Sequence, residues 1–121
     1  MSKNLIFSTS SELIRIPCDA VVYIAADRNY STILVADGGK YVLTMQLGQI
    51  ELRISEMIDV SDNRFVRIGK SLIVNCDYIT FINPTRQKLV LSDCRTFRTD
   101  VSASKEALRA LKDFIEKETE R

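Results

Sequence analysis

Short apolar segments, each four to six residues long and each followed by a turn signal, occupy most of this 121-residue chain. Segments of this length, bounded by Gly, Pro, Asn and Asp, are typical of β-strands. The clearest hairpin signal is Asp37-Gly38-Gly39, because glycine adopts positive φ without steric cost. The predicted strands are Glu12–Ile16, Val21–Ala26, Tyr30–Val35, Lys40–Thr44, Phe65–Ile68, Leu72–Asn75, Tyr78–Ile82, Lys88–Leu91 and Arg95–Thr99. The pattern therefore predicts an all-β core.

Two further segments have the periodicity of helices rather than strands. The first is short, carries apolar residues from Leu47 to Met57 or Ile58, and has Thr44 as its expected cap. The second is C-terminal, and Ser102 or Ser104 is expected to cap it. Its apolar stripe consists of Ala107, Leu108, Leu111, Phe114 and Ile115. Acidic and basic residues mix on its polar side, so the stripe is expected to dock onto a sheet, not a membrane.

The composition excludes several classes of function. The chain has no histidine, which removes Ser-His and Cys-His nucleophilic pairs and most zinc sites. It has no Gly-rich phosphate loop of a common type. We therefore expect neither an enzyme nor a resident metal or cofactor. Cys94 beside Arg95 could be a reactive thiol, although a turn or core cysteine is the commoner situation.

The same residues indicate a cellular compartment. Cys18, Cys76 and Cys94 form an odd set without a CxxC spacing, which is typical of free thiols under reducing conditions. No apolar run is long enough to cross a membrane, and the first residues lack a signal-peptide core. These observations predict a cytoplasmic protein.

Basic side chains are concentrated in one part of the chain. Residues 64–105 carry eight basic and three acidic side chains, whereas residues 1–63 carry five basic and eight acidic ones. The formal net charge of the whole is only +1. Such a basic block can form a local footprint for phosphate, although a solvated charged face is an alternative.

The basic block begins with the run Arg64-Phe65-Val66-Arg67-Ile68-Gly69-Lys70-Ser71-Leu72-Ile73-Val74-Asn75. Here Lys70 lies between two apolar strands, beside a glycine that lets the backbone approach a partner closely. A lysine in this position can reach a phosphate or a guanine edge, and Ser71 can add a hydroxyl donor. Arg67 is expected either to contact DNA or to pair with Asp59 or Asp62. Asn75 is interpreted as structural, holding the next turn through side-chain hydrogen bonds.

The run FVRIGKSLIVN resembles the "FxRxHxSxxVN" signature of the LytTR family, the DNA-binding output domain of many bacterial response regulators. Residues 24–33 are similar to the family's first strand-turn-strand, the helix beginning near Leu47 to its "sL..le..L", and Val101-Ser102 to its closing "vS". The order of these features extends the resemblance over roughly residues 12–116, so residues 1–121 are interpreted as a single LytTR-like domain. Gly69 stands where relatives often have His.

The resemblance implies a fold and a mode of binding. LytTR domains are mostly β, with small antiparallel sheets, a short mid-chain helix and a C-terminal helix, and they read duplex DNA through loops in successive major grooves. Three sets of contact residues are implied. These are Asn29, Ser31 and Thr32 in the first set, Arg67, Gly69, Lys70 and Ser71 in the second, and Ser104 and Lys105 in the third. Tyr30, within the first set, is expected to belong to the core.

Sequence-specific binding to double-stranded DNA in transcription regulation is the function that this resemblance implies. The family usually binds paired half-sites, so two copies, or a homodimer, are expected on one operator. Only about ten residues precede the first predicted strand, so no receiver domain is expected in this chain. The alternative is a regulatory module that retains the fold, binds DNA weakly and acts on a protein partner.

Overall fold

A computed structural model describes residues 3–119. The described strands are β1 Asn4–Ser8, β2 Leu13–Pro17, β3 Val21–Asp27, β4 Tyr30–Val35, β5 Lys40–Leu43, β6 Phe65–Ile68, β7 Leu72–Asn75, β8 Ile79–Asn83, β9 Lys88–Ser92 and β10 Arg98–Ser102. The helices are α1 Leu47–Met57 and α2 Lys105–Thr119. The prediction of a mostly β fold with small antiparallel sheets and two helices is confirmed.

The chain forms two compact units, the first ending at Asp77 and the second beginning at Tyr78. That these units act as one domain stays a prediction. None of the helices within residues 3–119 is long and apolar enough to cross a membrane.

A five-stranded antiparallel sheet in the order β5-β4-β3-β7-β6 is the frame of the first unit. Strands β1 and β2 form a separate hairpin. Side chains alternate between the faces of a strand, and buried Ile24, Ile33 and Ile73 lie on the face toward α1 and this hairpin. Phe7 from the hairpin and Ile50 from α1 complete the cluster. One helix and one hairpin thus cover one face of the sheet.

Asn75 is one of two polar residues that are buried among those the structure describes. Its side-chain amide donates hydrogen bonds to the carbonyl oxygens of Val21, at 2.8 Å, and of Cys18, at 3.3 Å. Its Oδ1 accepts from the amide of Asp77, at 3.0 Å. The bond from Asp77 holds the next turn, as the structural interpretation of Asn75 predicted. The two bonds from the side-chain amide also satisfy carbonyl groups that lie more than 50 residues earlier in the chain.

The second unit contains the antiparallel sheet β10-β9-β8 and helix α2. Leu89 and Leu91 of β9 are buried, as are Leu108 and Leu111 of the predicted apolar stripe of α2. The rings of Tyr78 and Phe97 pack edge to face, with centroids 5.1 Å apart. The burial of these two leucines is consistent with the expectation that the apolar stripe of α2 packs onto a sheet.

Three expectations about local structure were wrong. The first strand begins at Asn4 and not near Glu12, because Leu5 and Phe7 alternate inward in a hairpin with β2. Helix α1 is capped by Gln46 and not by Thr44; Gln46 and Gln49 exchange backbone and side-chain hydrogen bonds as a capping box. The last strand begins at Arg98 and not at Arg95.

The reason for the later start of β10 is the carboxylate of Asp93. Its Oδ1 accepts from the backbone amides of Arg95, at 2.9 Å, Thr96, at 2.7 Å, and Phe97, at 3.1 Å. The hydroxyl of Thr96 donates to the other carboxylate oxygen. These amides are therefore engaged in a turn and do not pair with β9. The hydrogen bond from Thr96, followed by those from the amides, holds the pKa of Asp93 well below its ordinary value.

Replacing Asp93 by asparagine is expected to lower the melting temperature at pH 7, because the neutral amide accepts these hydrogen bonds more weakly. A carboxylate with a depressed folded-state pKa stabilises the protein above its unfolded pKa, about 3.9, and loses that contribution as the pH falls toward the folded value. The difference in melting temperature between wild type and Asp93→Asn should therefore shrink between about pH 4 and pH 2. A difference that stays constant over this range would contradict the assignment.

Candidate nucleic-acid interface

Two hairpin turns lie at the same end of the five-stranded sheet. The turn between β3 and β4 follows the pair Asp27 and Tyr30, and the turn between β6 and β7 follows the pair Ile68 and Leu72. Leu72 pairs with Ala25 of β3, and the amide of Ala26 donates to the carbonyl of Ser71, at 2.8 Å. The register therefore places the first two sets of predicted contact residues next to each other.

The turn between β6 and β7 consists of Gly69, Lys70 and Ser71, all exposed. Gly69 has φ of +62°, in the left-handed region that favours glycine, and an added Cβ would have no neighbour within 4 Å. The backbone here is thus open on the side where a partner could approach. Lys70 extends from a fixed base, because the strands on both sides of the turn are paired along their length.

Arg67 holds this turn to helix α1. Its guanidinium donates to the carbonyl oxygen of Lys70, at 3.2 Å, and to Oε1 of Glu51, at 3.1 Å. The expected pairing with Asp59 or Asp62 was wrong, since Asp62 pairs with Arg64 and Lys3. Strand alternation directs Arg67 to the face of the sheet that α1 covers, beside Ile73, and this is why Glu51 is its partner. Arg67 thereby positions the turn that presents Lys70.

The turn between β3 and β4 has only two residues, Arg28 and Asn29, both exposed. Arg28 has φ of +60°. A two-residue hairpin turn with positive φ at its first position favours glycine there, and an arginine costs about 1–2 kcal/mol more. Strain of this kind is often retained at functional sites. Arg28 was not among the predicted contact residues; its charge between two predicted strands was the available signal.

The side chains of β4 alternate between the two faces of the sheet, so the residues of the first predicted set do not all point the same way. Ser31 points inward, is buried, and donates its hydroxyl to the carbonyl oxygen of Met45, at 2.8 Å. Because this hydroxyl is engaged inside the protein, Ser31 is not included among the DNA contacts proposed below. Tyr30 was expected in the core but is 50% exposed at the turn. Thr32 is partly exposed and shares the outward face with Tyr30, while Asn29 is fully accessible.

The third predicted set lies in the second unit, at the start of α2. Ser104 caps the helix, because its Oγ accepts from the amide of Ala107, at 3.1 Å. This confirms one of the two expected caps. Lys105 is the first residue of the helix and is exposed. The N-terminus of a helix carries a partial positive charge, and Lys105 adds a full one at the same place.

Other kinds of site receive no support from the described residues. No group of three or more Cys, Asp or Glu side chains within residues 3–119 has the arrangement of a metal site. Cys18 is buried, and burial raises its pKa above the ordinary value, which leaves it as an unreactive thiol at neutral pH. Cys94 is exposed in the turn that Asp93 organises.

Comparisons with protein families and with solved structures each give a match to this chain. Residues 11–116 match the LytTr DNA-binding domain family. Among solved structures, a similar one is the LytTr DNA-binding domain of a Bacillus cereus protein described as a methyl-accepting/DNA response regulator. The two share 20% sequence identity and a TM-score of 0.63, over 93% of this chain and 96% of the other. No curated protein matches the chain significantly.

Proposed function

Because the chain belongs to the LytTr DNA-binding domain family, we propose that it regulates transcription by sequence-specific binding to duplex DNA, with its turns inserted into successive major grooves. The family is one of DNA-binding domains and not of enzymes. The observation that carries the proposal is the placement of the turns 28–29 and 69–71 at one end of the sheet, each with an exposed cation at its tip.

The two tip cations are available to a ligand. Arg28 and Lys70 form no ion pair with any other residue in the part of the chain that the structure describes. Arg67, by contrast, is occupied by Glu51 and by the carbonyl of Lys70. We therefore assign Arg28 and Lys70 to direct contact with DNA and give Arg67 the task of holding the Lys70 turn in place.

The side chains at this end of the sheet can serve both affinity and sequence readout. Arginine and lysine bind phosphates and also reach the O6 and N7 atoms of guanine in the major groove. Asn29 can bond the edge of adenine in the bidentate manner of amide side chains. Ser71 and Thr32 are proposed as hydroxyl contacts. Each turn joins two neighbouring strands only about 4.8 Å apart, so a single hairpin tip is narrow enough to enter a groove about 12 Å wide.

Lys105 and Ser104 form a second proposed contact, at the N-terminus of α2. Phosphate is favoured there by the helix dipole and by amides in the first turn. Ser104 contributes by capping the helix, since its Oγ is engaged with Ala107. Lys105 is a point charge without the bidentate geometry of a guanidinium. This contact is therefore assigned to affinity more than to base readout.

Selection of duplexes from fragmented host DNA, followed by anisotropy titration of an enriched site, tests the proposed function. We expect one shared motif and an affinity that falls with salt, since neutralising each phosphate contributes about −0.9 to the slope of log K against log salt. Two copies are proposed to occupy paired half-sites, so the enriched duplex should bind two protomers. A sequence-independent affinity, or no enrichment, would contradict specific binding.

Tyr30 provides a separate test of the orientation of the interface. Its ring is exposed at the hairpin turn and can pack against a thymine methyl or a sugar, so Tyr30→Ala is expected to weaken binding to the selected duplex by about 1–2 kcal/mol. Tyr41 is a matched control, because it is 44% exposed on β5 of the same sheet and lies farther from the turns. Equal losses in the two variants would argue against this assignment.

A further inference from the structure

A groove between helix α1 and strand β6 lies within the first unit and is separate from the proposed DNA contacts at the turn tips. Its floor is apolar and includes Ile54, Ile58 and Phe65. Its volume is about 220 Å³, below the range of pockets that take drug-sized ligands. A space of this size suits one or two apolar side chains.

Strand β6 adds backbone hydrogen-bonding groups to the apolar surface of this groove. It is an edge of the five-stranded sheet and pairs with β7 alone. The backbone N–H and C=O groups on its other edge can therefore pair with an added strand. Phe65 and Arg67, alternate residues of β6, both line the groove. A peptide extending the sheet beside β6 would place alternate side chains over the groove, as in recognition by strand addition.

The charges around the groove indicate what such a peptide would carry. Three carboxylates, Glu51, Asp59 and Asp62, line it together with one guanidinium, that of Arg67. Glu51 is paired with Arg67, and Asp62 with Arg64. Asp59 is exposed and forms no ion pair with any residue between 3 and 119. Hydrogen bonds from Ser61, and to a smaller extent the charge of Lys3, lower the pKa of Asp59. Asp59 is therefore the groove carboxylate that has no ion-pair partner within 4 Å among residues 3–119, whereas the turn tips carry cations.

Val60, next to Asp59, is an exposed apolar residue at the mouth of the groove. Its side chain is 99% exposed, although it lines the same groove as Asp59. Isolated exposed apolar residues are common, but this one extends an apolar floor outward beside an open strand edge. An incoming apolar side chain could be covered by Val60 from outside and by Ile54 and Ile58 from below.

We propose that the groove between α1 and β6 is a docking site for an extended segment of a partner protein, which adds a strand to β6, inserts an apolar side chain, and places a Lys or Arg beside Asp59. The proposed peptide contacts none of the residues at the turn tips, so this inference goes beyond the proposed function. Because Arg67 connects the groove to the Lys70 turn through its two hydrogen bonds, an occupied groove could also alter the turn.

Selection from a phage-displayed library of random heptapeptides, with the full chain immobilised, tests the proposal. The enriched peptides are expected to carry an apolar residue close to Lys or Arg. A synthetic copy should bind with chemical-shift changes and slowed amide exchange concentrated in β6 and α1. Enriched peptides that are acidic, or that perturb other regions, would overturn the proposal.

Two variants and one control make this test specific to the groove. Ser55→Trp fills the groove from an exposed position on α1 and is expected to weaken peptide binding by about tenfold or more. Asp59→Asn removes only charge and should weaken it about threefold at low salt, less at high salt. Asp37→Asn is the matched control, because Asp37 is also exposed and accepts the amide of the residue two positions on, but does not line the groove.

Two further measurements distinguish peptide binding from misfolding of the variant and from self-association. Circular dichroism tests whether Ser55→Trp is folded. If it is not, the Asp59→Asn variant alone decides. Unchanged peptide affinity in Asp59→Asn would refute the charge assignment. Light scattering of the free protein tests a second copy as the occupant, since a dimer that Ser55→Trp dissociates would replace the proposed partner. DNA affinity is measured alongside, so a failure of this proposal is distinguishable from a failure of DNA binding.

Discussion

Asn75→Ala is expected to lower the free energy of unfolding by about 2–4 kcal/mol, because it leaves buried backbone carbonyls without donors and removes a packed side chain. The carbonyl oxygens of Val21 and Cys18 lose their hydrogen bonds from Nδ2, and the amide of Asp77 loses its acceptor. Water cannot replace these bonds without opening the interior. Urea unfolding followed by far-UV circular dichroism measures the change as a lower midpoint at constant slope.

Asn83→Ala is the matched control for this prediction. Asn83 also accepts a backbone amide, that of Arg86, at 3.1 Å, but in an exposed turn. Its replacement is expected to cost less than about 1 kcal/mol, since water takes over an exposed bond. If the two alanine variants unfolded at the same urea concentration, Asn75 would not be the anchor that its hydrogen bonds indicate.

Lys70→Ala is expected to weaken binding to the selected duplex by about 1–3 kcal/mol, which is the usual loss for a contact with a base edge. The effect should be larger on the selected duplex than on random DNA if Lys70 reads a base. If it binds only phosphate, both affinities should fall together and the salt slope should decrease by about one. Anisotropy titrations of both duplexes at several salt concentrations distinguish the two modes.

Lys40→Ala serves as the control for charge. Lys40 is exposed on the same sheet, and its pairing with Leu34 places it at the far end of β5 from the turns. The two variants have the same net charge, so any difference between them reports position and not global electrostatics. Equal affinities in Lys70→Ala and Lys40→Ala would refute the placement of DNA at the turn tips.

The sequence was sufficient for those features that depend on local pattern. Strand alternation and turn residues located most strands, and the helical stripes located both helices. Asn75 was interpreted as structural because its side chain can hold the next turn through hydrogen bonds, and the bond from the amide of Asp77 confirms this. Ser104 was one of two expected caps, and it is the residue whose Oγ accepts from Ala107.

Features that depend on the facing direction of a strand were not predictable in the same way. Shifting a strand by one residue exchanges its faces, and this decided that Ser31 lies inside and Tyr30 outside. The partner of Arg67 depends on which layer covers its face, and Glu51 is in α1, 16 residues earlier in the chain. The late start of β10 depends on the side chain of Asp93, which competes for backbone amides. The alternation of apolar residues does not indicate such competition.

In the proposed mode of DNA binding, Gly69 is a position where a single substitution would change the preference for a DNA sequence. A side chain added there would meet nothing within 4 Å, so only backbone strain opposes it. Asparagine tolerates the left-handed conformation better than most residues and would bring a new amide beside Lys70. A lineage could diversify its regulatory targets at this glycine while the sheet beneath stays unchanged.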